Sequence, residues 1–511
     1  MNQRATIKAI GIVIILTIIT KLLGFGRELV LAYYYSASVV SDAYLLSSDI
    51  VSIPFGWIPS FAVVFTPIFS LILVKEGKDR ALDYTRKVLI IVIVVSILSI
   101  ALTEAIPSVI VNAIGHGLAK ESQQYVVDYL RIIIFSVGFN ALSELFISYL
   151  NVYESYTAAN LVGLPFNIIE IVAIAISAYL HNPILMAFGV VGGNIVKCCT
   201  AYAFSIKKGF KYRNFHLSND PFIRQTWVMF IPVYFSNMLV EINTLIDKSF
   251  ASYLPEGSLT LLNYGAVTRR FIFNVFSIVI SSIFFPLFSK LVAQKGNSET
   301  SNVIERTLNA AIAIFIPISF LAICFSNDFI SFLYDRGALK GRSEDVSIIF
   351  ALYCVGLTPM IVNEICSRIV YSFKNTKLPL YTGIITIAFN CLFNFIFIRL
   401  MGAPGLALAT SLSQMIVTPL FLYLIHKKEC PIKTGTLIVN LLQTICVSGV
   451  LYIIFIIIAK CSYVNAIRTQ FGVAFAIVGS LIYIVVYVLS MFRFKNEAII
   501  EMMSHIKLWR K

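Results

Sequence analysis

About fourteen apolar stretches follow one another along this chain, from Ile7 to Phe494, with only short polar connections between them. A helix needs about 20 apolar residues to cross the hydrocarbon of a bilayer. The runs 88–102, 311–324 and 451–459 contain no charge at all. Only 13% of the 511 residues are charged and 58% are hydrophobic, whereas a soluble domain carries about 25% charged residues. The chain therefore reads as an all-α polytopic membrane protein. Its spans fall at 7–34, 42–74, 86–111, 124–150, 157–180, 184–206, 225–252, 259–289, 307–327, 347–373, 379–398, 403–425, 435–459 and 469–492.

The formal net charge of +14 raises the question of nucleic acid. The placement of the charges answers it. Alternate connections hold 25 of the 40 lysines and arginines on one side and 7 on the other. By the positive-inside rule the basic side and both termini face the cytoplasm. The basicity is topogenic; no nucleic-acid partner is expected, and membrane lipids are. The nine cysteines include no CxxC and no Cys/His cluster, so neither a disulfide framework nor a zinc site is expected. The first apolar stretch is too long for a signal h-region and reads as a retained transmembrane helix.

The remaining eight basic residues lie inside spans: Lys21, Arg27, Arg131, Lys197, Lys248, Arg269, Arg270 and Arg368. An intramembrane charge costs roughly 2.5–3.5 kcal/mol on insertion scales, so it faces a protein interior or a wet path and marks function. Lys21 and Arg27 stand six apart, within about 120° of each other around a helix, and an arginine fork suits phosphate oxygens. Arg269 and Arg270 add two charges with no obvious local acid. This is the pattern of a transporter of an anionic headgroup such as a pyrophosphate. A structural alternative pairs Arg27 with Asp42 or Glu28, merely holding helices together. Asp247, Asn390, Asn394 and Thr410 form a second set. Asn390 and Asn394 share a helix face at i,i+4, and their oxygens suit a hard cation such as sodium or an interhelical hydrogen bond. There is no Walker motif, GxSxG, HExxH, DxD or DDxxD; Asp335 and Asp345 are the sole acidic loop candidates for an embedded enzyme, which is not the expected class.

Residues 65–70 read FTPIFS and residues 284–289 read FFPLFS, a spacing of 219 that sets Glu28 opposite Asp247. Such internal symmetry is usual in secondary transporters. The expected organisation is an N-lobe of six helices (1–208), an interfacial linker (209–224), a C-lobe of six helices (225–428), two further helices (429–494) and a basic amphipathic tail (495–511). Gly24, Gly26, Pro54, Gly56, Pro59, Pro67, Pro165, Pro232, Pro286 and Pro359 sit inside spans, where proline removes a donor and kinks a helix.

Seven segments carry a family resemblance in order: KLLGFGRE (21–28), SDAY (41–44), EINTLIDK (241–248), LPEGS (254–258) with LNY (262–264), LYDRGA (333–338), YSFKNTK (371–377) and GLALATS (405–411). Through them the chain resembles the MurJ (MviN) family of lipid II flippases, within the multidrug/oligosaccharidyl-lipid/polysaccharide exporter superfamily. The resemblance implies a fourteen-helix, two-lobe fold in a bacterial plasma membrane. It also implies alternating-access transfer of a polyprenyl-pyrophosphate-linked saccharide, lipid II, to the outer leaflet, the lipid tail staying beside spans 13 and 14. Flippases for another undecaprenyl-linked glycan, and cation-coupled drug antiporters of the same superfamily, are the alternatives. By motif, Lys21, Arg27 and Asp42 match the family's charged cavity positions, joined here by Arg269 and Arg270. Asp247, Asn390, Asn394, Thr410 and the Leu406 carbonyl match a monovalent-cation site, implying sodium coupling; Asn394 stands where an acid occurs in some members. No other cofactor is implied, and cell-wall synthesis machinery is an implied partner. Two positions depart from the family: residues 51–57 read VSIPFGW without a basic residue, and Val267 stands where an arginine is usual, with Arg270 three residues on.

Overall fold

The computed structural model describes residues 3–211, 220–279, 288, 297–373, 375, 377–459, 464, 468 and 470–500. Half of the linker (212–219), the tail beyond 500 and most of the second repeat motif (284–287 and 289) lie outside these residues. Among the described residues every regular element is helical, and the chain divides into two compact units, Met1–Thr260 and Leu261–Lys511.

In the first unit α1 (Gln3–Tyr35) is followed by α2 (Val39–Phe55), α3 (Trp57–Lys75), α4 (Lys78–Ala105), α5 (Pro107–Ile114), α6 (Lys120–Ile133) and α7 (Ser136–Val152). Next come α8 (Tyr156–Leu161), α9 (Gly163–Tyr179), α10 (Leu185–Lys207) and α11 (Pro221–Ala251), which packs on α3 and α2. α12 (Ser258–Val279) begins at the end of this unit and continues into the second. The second unit adds α13 (Asn297–Cys324), α14 (Ser326–Tyr334), α15 (Ser343–Val355), α16 (Leu357–Ser372), α17 (Lys377–Met401), α18 (Ala403–Lys428), α19 (Thr434–Ala459) and α20 (Val473–Arg493).

Among the described residues ten helical stretches, α8 and α9 together forming one of them, are long and apolar enough to cross a membrane, or twelve when the bent pairs α6–α7 and α15–α16 each count as one span. α1 and α12, at 33 and 22 residues, carry intramembrane charges and lie outside that count. The repeat read from the sequence recurs as structure. α5 and α14 begin 219 residues apart. The bent pairs that follow turn by 44° and 43°.

Proline explains most of the breaks. Pro59, Pro165 and Pro359 each occupy the third position of a helix, α3, α9 and α16. Proline lacks an N–H and its ring collides with the carbonyl four residues back, so the preceding helix cannot run through it. A third-position N–H has no intrahelical partner, so restarting two residues earlier costs nothing there. Pro67, Pro232, Pro317 and Pro419 instead sit inside continuous helices. The bend at Ile134-Phe135 has neither proline nor glycine, and nothing in the sequence explains it.

Each unit has its own core. In the first, Phe65 stacks on Phe69 and Tyr84 at 5.3 and 5.7 Å between ring centres, and Phe69 meets Tyr149 edge-on at 5.4 Å. The buried Tyr84 hydroxyl is satisfied by Thr226 Oγ1 at 2.8 Å, linking α4 to α11. In the second, Phe288, Leu308, Phe315, Ile361, Ile365 and Phe421 form one apolar cluster. A chain of amides joins α13 and α19 to the segment after α20: Asn496 Nδ2 donates to Asn440 Oδ1 at 2.8 Å, and Asn440 Nδ2 to Asn309 Oδ1 at 2.9 Å.

Candidate functional site

The intramembrane charges of the first unit are mostly paired. Arg27 on α1 donates through one terminal nitrogen to Glu170 on α9, and through the other to Glu28 Oε1 at 2.7 Å. Glu28 and Glu170 are buried, while 28% of the Arg27 side chain is exposed. Lys21, two turns earlier, is exposed. Lys197 on α10 donates to Glu144 Oε1 at 2.8 Å and Asn140 Oδ1 at 2.9 Å, both on α7. Lys248 on α11 lies 2.8 Å from Asp49 Oδ2 on α2, and Ser52 donates to Glu241 Oε2 at 2.9 Å. Of the two partners that the sequence offered Arg27, the structure takes Glu28. A charge held in hydrocarbon must find a partner or water; beside the neighbouring Glu28, α9, α7 and α2 supply carboxylates that lie far from their cations in sequence.

Asp42 is not the partner of Arg27. Its carboxylate accepts the backbone N–H of Gly257 at 2.7 Å, the N–H of Thr260 at 2.8 Å and the Thr260 hydroxyl at 2.5 Å. Those groups are the opening turn of α12, whose first N–H donors have no intrahelical acceptor. An anionic side chain there also complements the helix dipole. The approach needs glycine at 257: φ is +86°, and a Cβ would meet the Ala37 carbonyl oxygen at 2.5 Å.

In the second unit Arg269 is buried with its guanidinium 4.6 Å from the centre of the Tyr353 ring on α15, a cation–π geometry. Arg270, about 100° further around α12, is exposed. The two arginines that stand together in sequence thus look in different directions. Arg368 is held by Glu364 one turn earlier, at 2.6 Å. Arg131, in the first unit, is exposed.

The structure brings together four of the five candidate cation ligands. Asn390 and Asn394 on α17 are fully buried; Asn394 Nδ2 donates to Asn390 Oδ1 at 3.0 Å and Asn390 Nδ2 to Thr410 Oγ1 at 3.3 Å. Thr410 in turn donates to the Leu406 carbonyl at 3.1 Å on α18. Gly405 permits this close pairing, since a Cβ there would meet the Phe397 carbonyl oxygen at 2.3 Å. The site's oxygens are neutral amide, hydroxyl and carbonyl groups, the donor class a hard monovalent cation takes. Asp247, the fifth candidate, lies on α11 in the first unit. Among the described residues no group of three or more His, Cys, Asp or Glu is placed to hold a metal. The two acidic loop candidates for an enzyme are engaged locally: Asp335 Oδ1 accepts the Gly341 N–H at 2.6 Å, and Asp345 lies 3.8 Å from Arg342.

Glu170 and Glu144 are the site residues the sequence reading missed. Glu170 is the sole acid between residues 157 and 180. A lone carboxylate in an apolar span is the same anomaly as a lone cation, and that signal was present.

A family model described as lipid II flippase MurJ matches residues 31–483, a segment that begins just after Arg27. The probable lipid II flippase MurJ of Buchnera aphidicola subsp. Baizongia pistaciae is 25% identical over 430 residues, covering 81% of this chain and 82% of that relative. Among solved structures, a lipid II flippase MurJ in an inward closed conformation superposes with a TM-score of 0.78 at 21% identity, over 94% of this chain and 99% of the other. An inward-facing multidrug resistance MATE family transporter superposes with a TM-score of 0.66 at 12% identity, over 79% of this chain and 93% of the other.

Proposed function

We propose, from the premise that this chain belongs to the lipid II flippase MurJ family, that it carries lipid II from the inner to the outer leaflet of a bacterial cell membrane. The observation that carries the reading is the family match over residues 31–483, nearly the whole membrane-embedded chain. The chemistry agrees with it. The headgroup of a polyprenyl-pyrophosphate-linked saccharide needs cations inside an otherwise apolar protein, and the exposed part of Arg27 supplies one in the first unit. Lys21 and Arg270 are further open cations, each within its own unit. The cycle is alternating access, for which each unit having its own core is a precondition.

No covalent bond is made or broken in this reading, and the protein acts as a transporter. Both termini face the cytoplasm, as the 25-to-7 distribution of basic residues directs. Sodium is the proposed coupling ion, held in the second unit by oxygens of Asn390, Asn394, Thr410 and Leu406. The direct test is translocation of labelled lipid II by the purified protein in proteoliposomes. Protein-dependent movement of label between leaflets is expected; no movement above that of empty vesicles, with the protein correctly inserted, would refute the function.

A further inference from the structure

Arg27 is held by two carboxylates, the neighbouring Glu28 that the sequence offered as a partner and Glu170 from a distant helix. The three side chains differ in access. Arg27 is 28% exposed, while Glu28 and Glu170 are 7% and 3% exposed, so only the cation can be reached from outside. A phosphate binds arginine best through two parallel N–H bonds. Each terminal nitrogen already gives one of its two N–H groups to a carboxylate, so a phosphate taking the fork across both nitrogens competes with Glu28 and Glu170 for the guanidinium. An incoming pyrophosphate therefore meets a cation already held by two carboxylates.

The two acids are not equivalent. Glu28 is the next residue after Arg27 on α1 and stays beside it whatever that helix does. Glu170 comes from α9, 143 positions away in sequence, and is the more deeply buried. If Arg27 turns to a substrate, the buried Glu170 loses its hydrogen-bonded cation and keeps only the charge of Lys197 acting on it, which is unfavourable. That deficit pulls Arg27 back. We propose that Glu170 is a positioning residue that competes with the substrate pyrophosphate for Arg27, keeping affinity low and recapturing the guanidinium when the headgroup leaves. The inference rests on the flippase reading and adds to it the residue that resets the site.

The test uses the full chain as wild type, Glu170→Gln and Glu170→Asp, with lipid II as the probe. Equilibrium binding is measured in detergent, and initial translocation rates are measured in proteoliposomes over a range of lipid II densities. Glu170→Gln is expected to bind about tenfold more tightly or better, a shift of about 1.4 kcal/mol, with a lower apparent KM and a lower maximal rate. Glu170→Asp keeps the charge but withdraws it by one methylene, and is expected to tighten binding by a smaller factor; it stands in should Glu170→Gln fail to insert. A purely structural role would lower affinity and rate together, and that outcome, or unchanged binding in both variants, overturns the proposal. Wild-type protein that binds no lipid II would instead overturn the flippase reading on which it rests.

Discussion

Replacing Asp42 by alanine removes three hydrogen bonds from the first turn of α12 in one step. Asp42 is buried, and the N–H groups of Gly257 and Thr260 have no intrahelical acceptor to fall back on. Each buried donor left unpaired costs about 1–3 kcal/mol, so the two together give about 2–6 kcal/mol. The Thr260 hydroxyl can rotate elsewhere and adds little. For a cooperative unit of this size, about 2 °C of Tm accompanies each kcal/mol, so the loss is on the order of 4–12 °C. Thermal unfolding of the purified protein in detergent measures it. Asp42→Asn retains one acceptor but turns an amide N–H toward the other donor, and is expected to fall between wild type and alanine. The two roles weighed for Asp42 predict opposite patterns. A cap residue loses Tm; a residue that only touches substrate keeps Tm and loses transport. Wild-type Tm in Asp42→Ala would refute the capping argument.

Asp220 provides a pH test outside the membrane. Burial pushes its carboxyl up, but the Lys87 hydrogen bond, the Phe222 N–H and the charges of Lys87 and Arg80 outweigh burial and hold it below the ordinary value of 3.8. A depressed carboxyl contributes stability that is fully present above its ordinary value and is lost as pH falls through the lowered one. The Tm difference between wild type and Asp220→Asn should therefore hold from about pH 7 to about pH 4 and shrink below that; a difference that grows on acidification would contradict the assignment. Sodium chloride, compared with choline chloride, should raise the Tm of wild type and not of Asn390→Ala. Equal shifts in the two proteins would remove the proposed cation site.

Several features were legible in the sequence because they are local. The apolar spans follow from composition, the breaks before α3, α9 and α16 from single prolines, and the shared face of Asn390 and Asn394 from an i,i+4 spacing that the structure keeps at 3.0 Å. The repeat was visible in six residues and recurs as a 219-residue offset between the starts of α5 and α14. The Arg27–Glu28 pair was legible as neighbours, but the distant charge partners were not. Arg27 meets Glu170 and Lys248 meets Asp49 across long stretches of chain, and helical periodicity says nothing about which helix lies alongside which. Arg269 and Arg270 look like one doubled charge on paper. A helix turns about 100° per residue, which puts Arg269 on Tyr353 and leaves Arg270 open. Asp42 carries the same lesson: an acid two residues before Tyr44 gives no sign that its acceptors will be used more than 200 positions later.

The most direct test of the function is rescue of a bacterium depleted of its own lipid II flippase, scoring growth together with lipid II accessible from outside the cell. The wild-type chain is expected to restore both, and Arg27→Ala to restore neither while still reaching the membrane in normal amount. Wild-type protein present in the membrane that leaves lipid II on the inner leaflet would contradict the function, and rescue by Arg27→Ala would contradict the place given to that guanidinium.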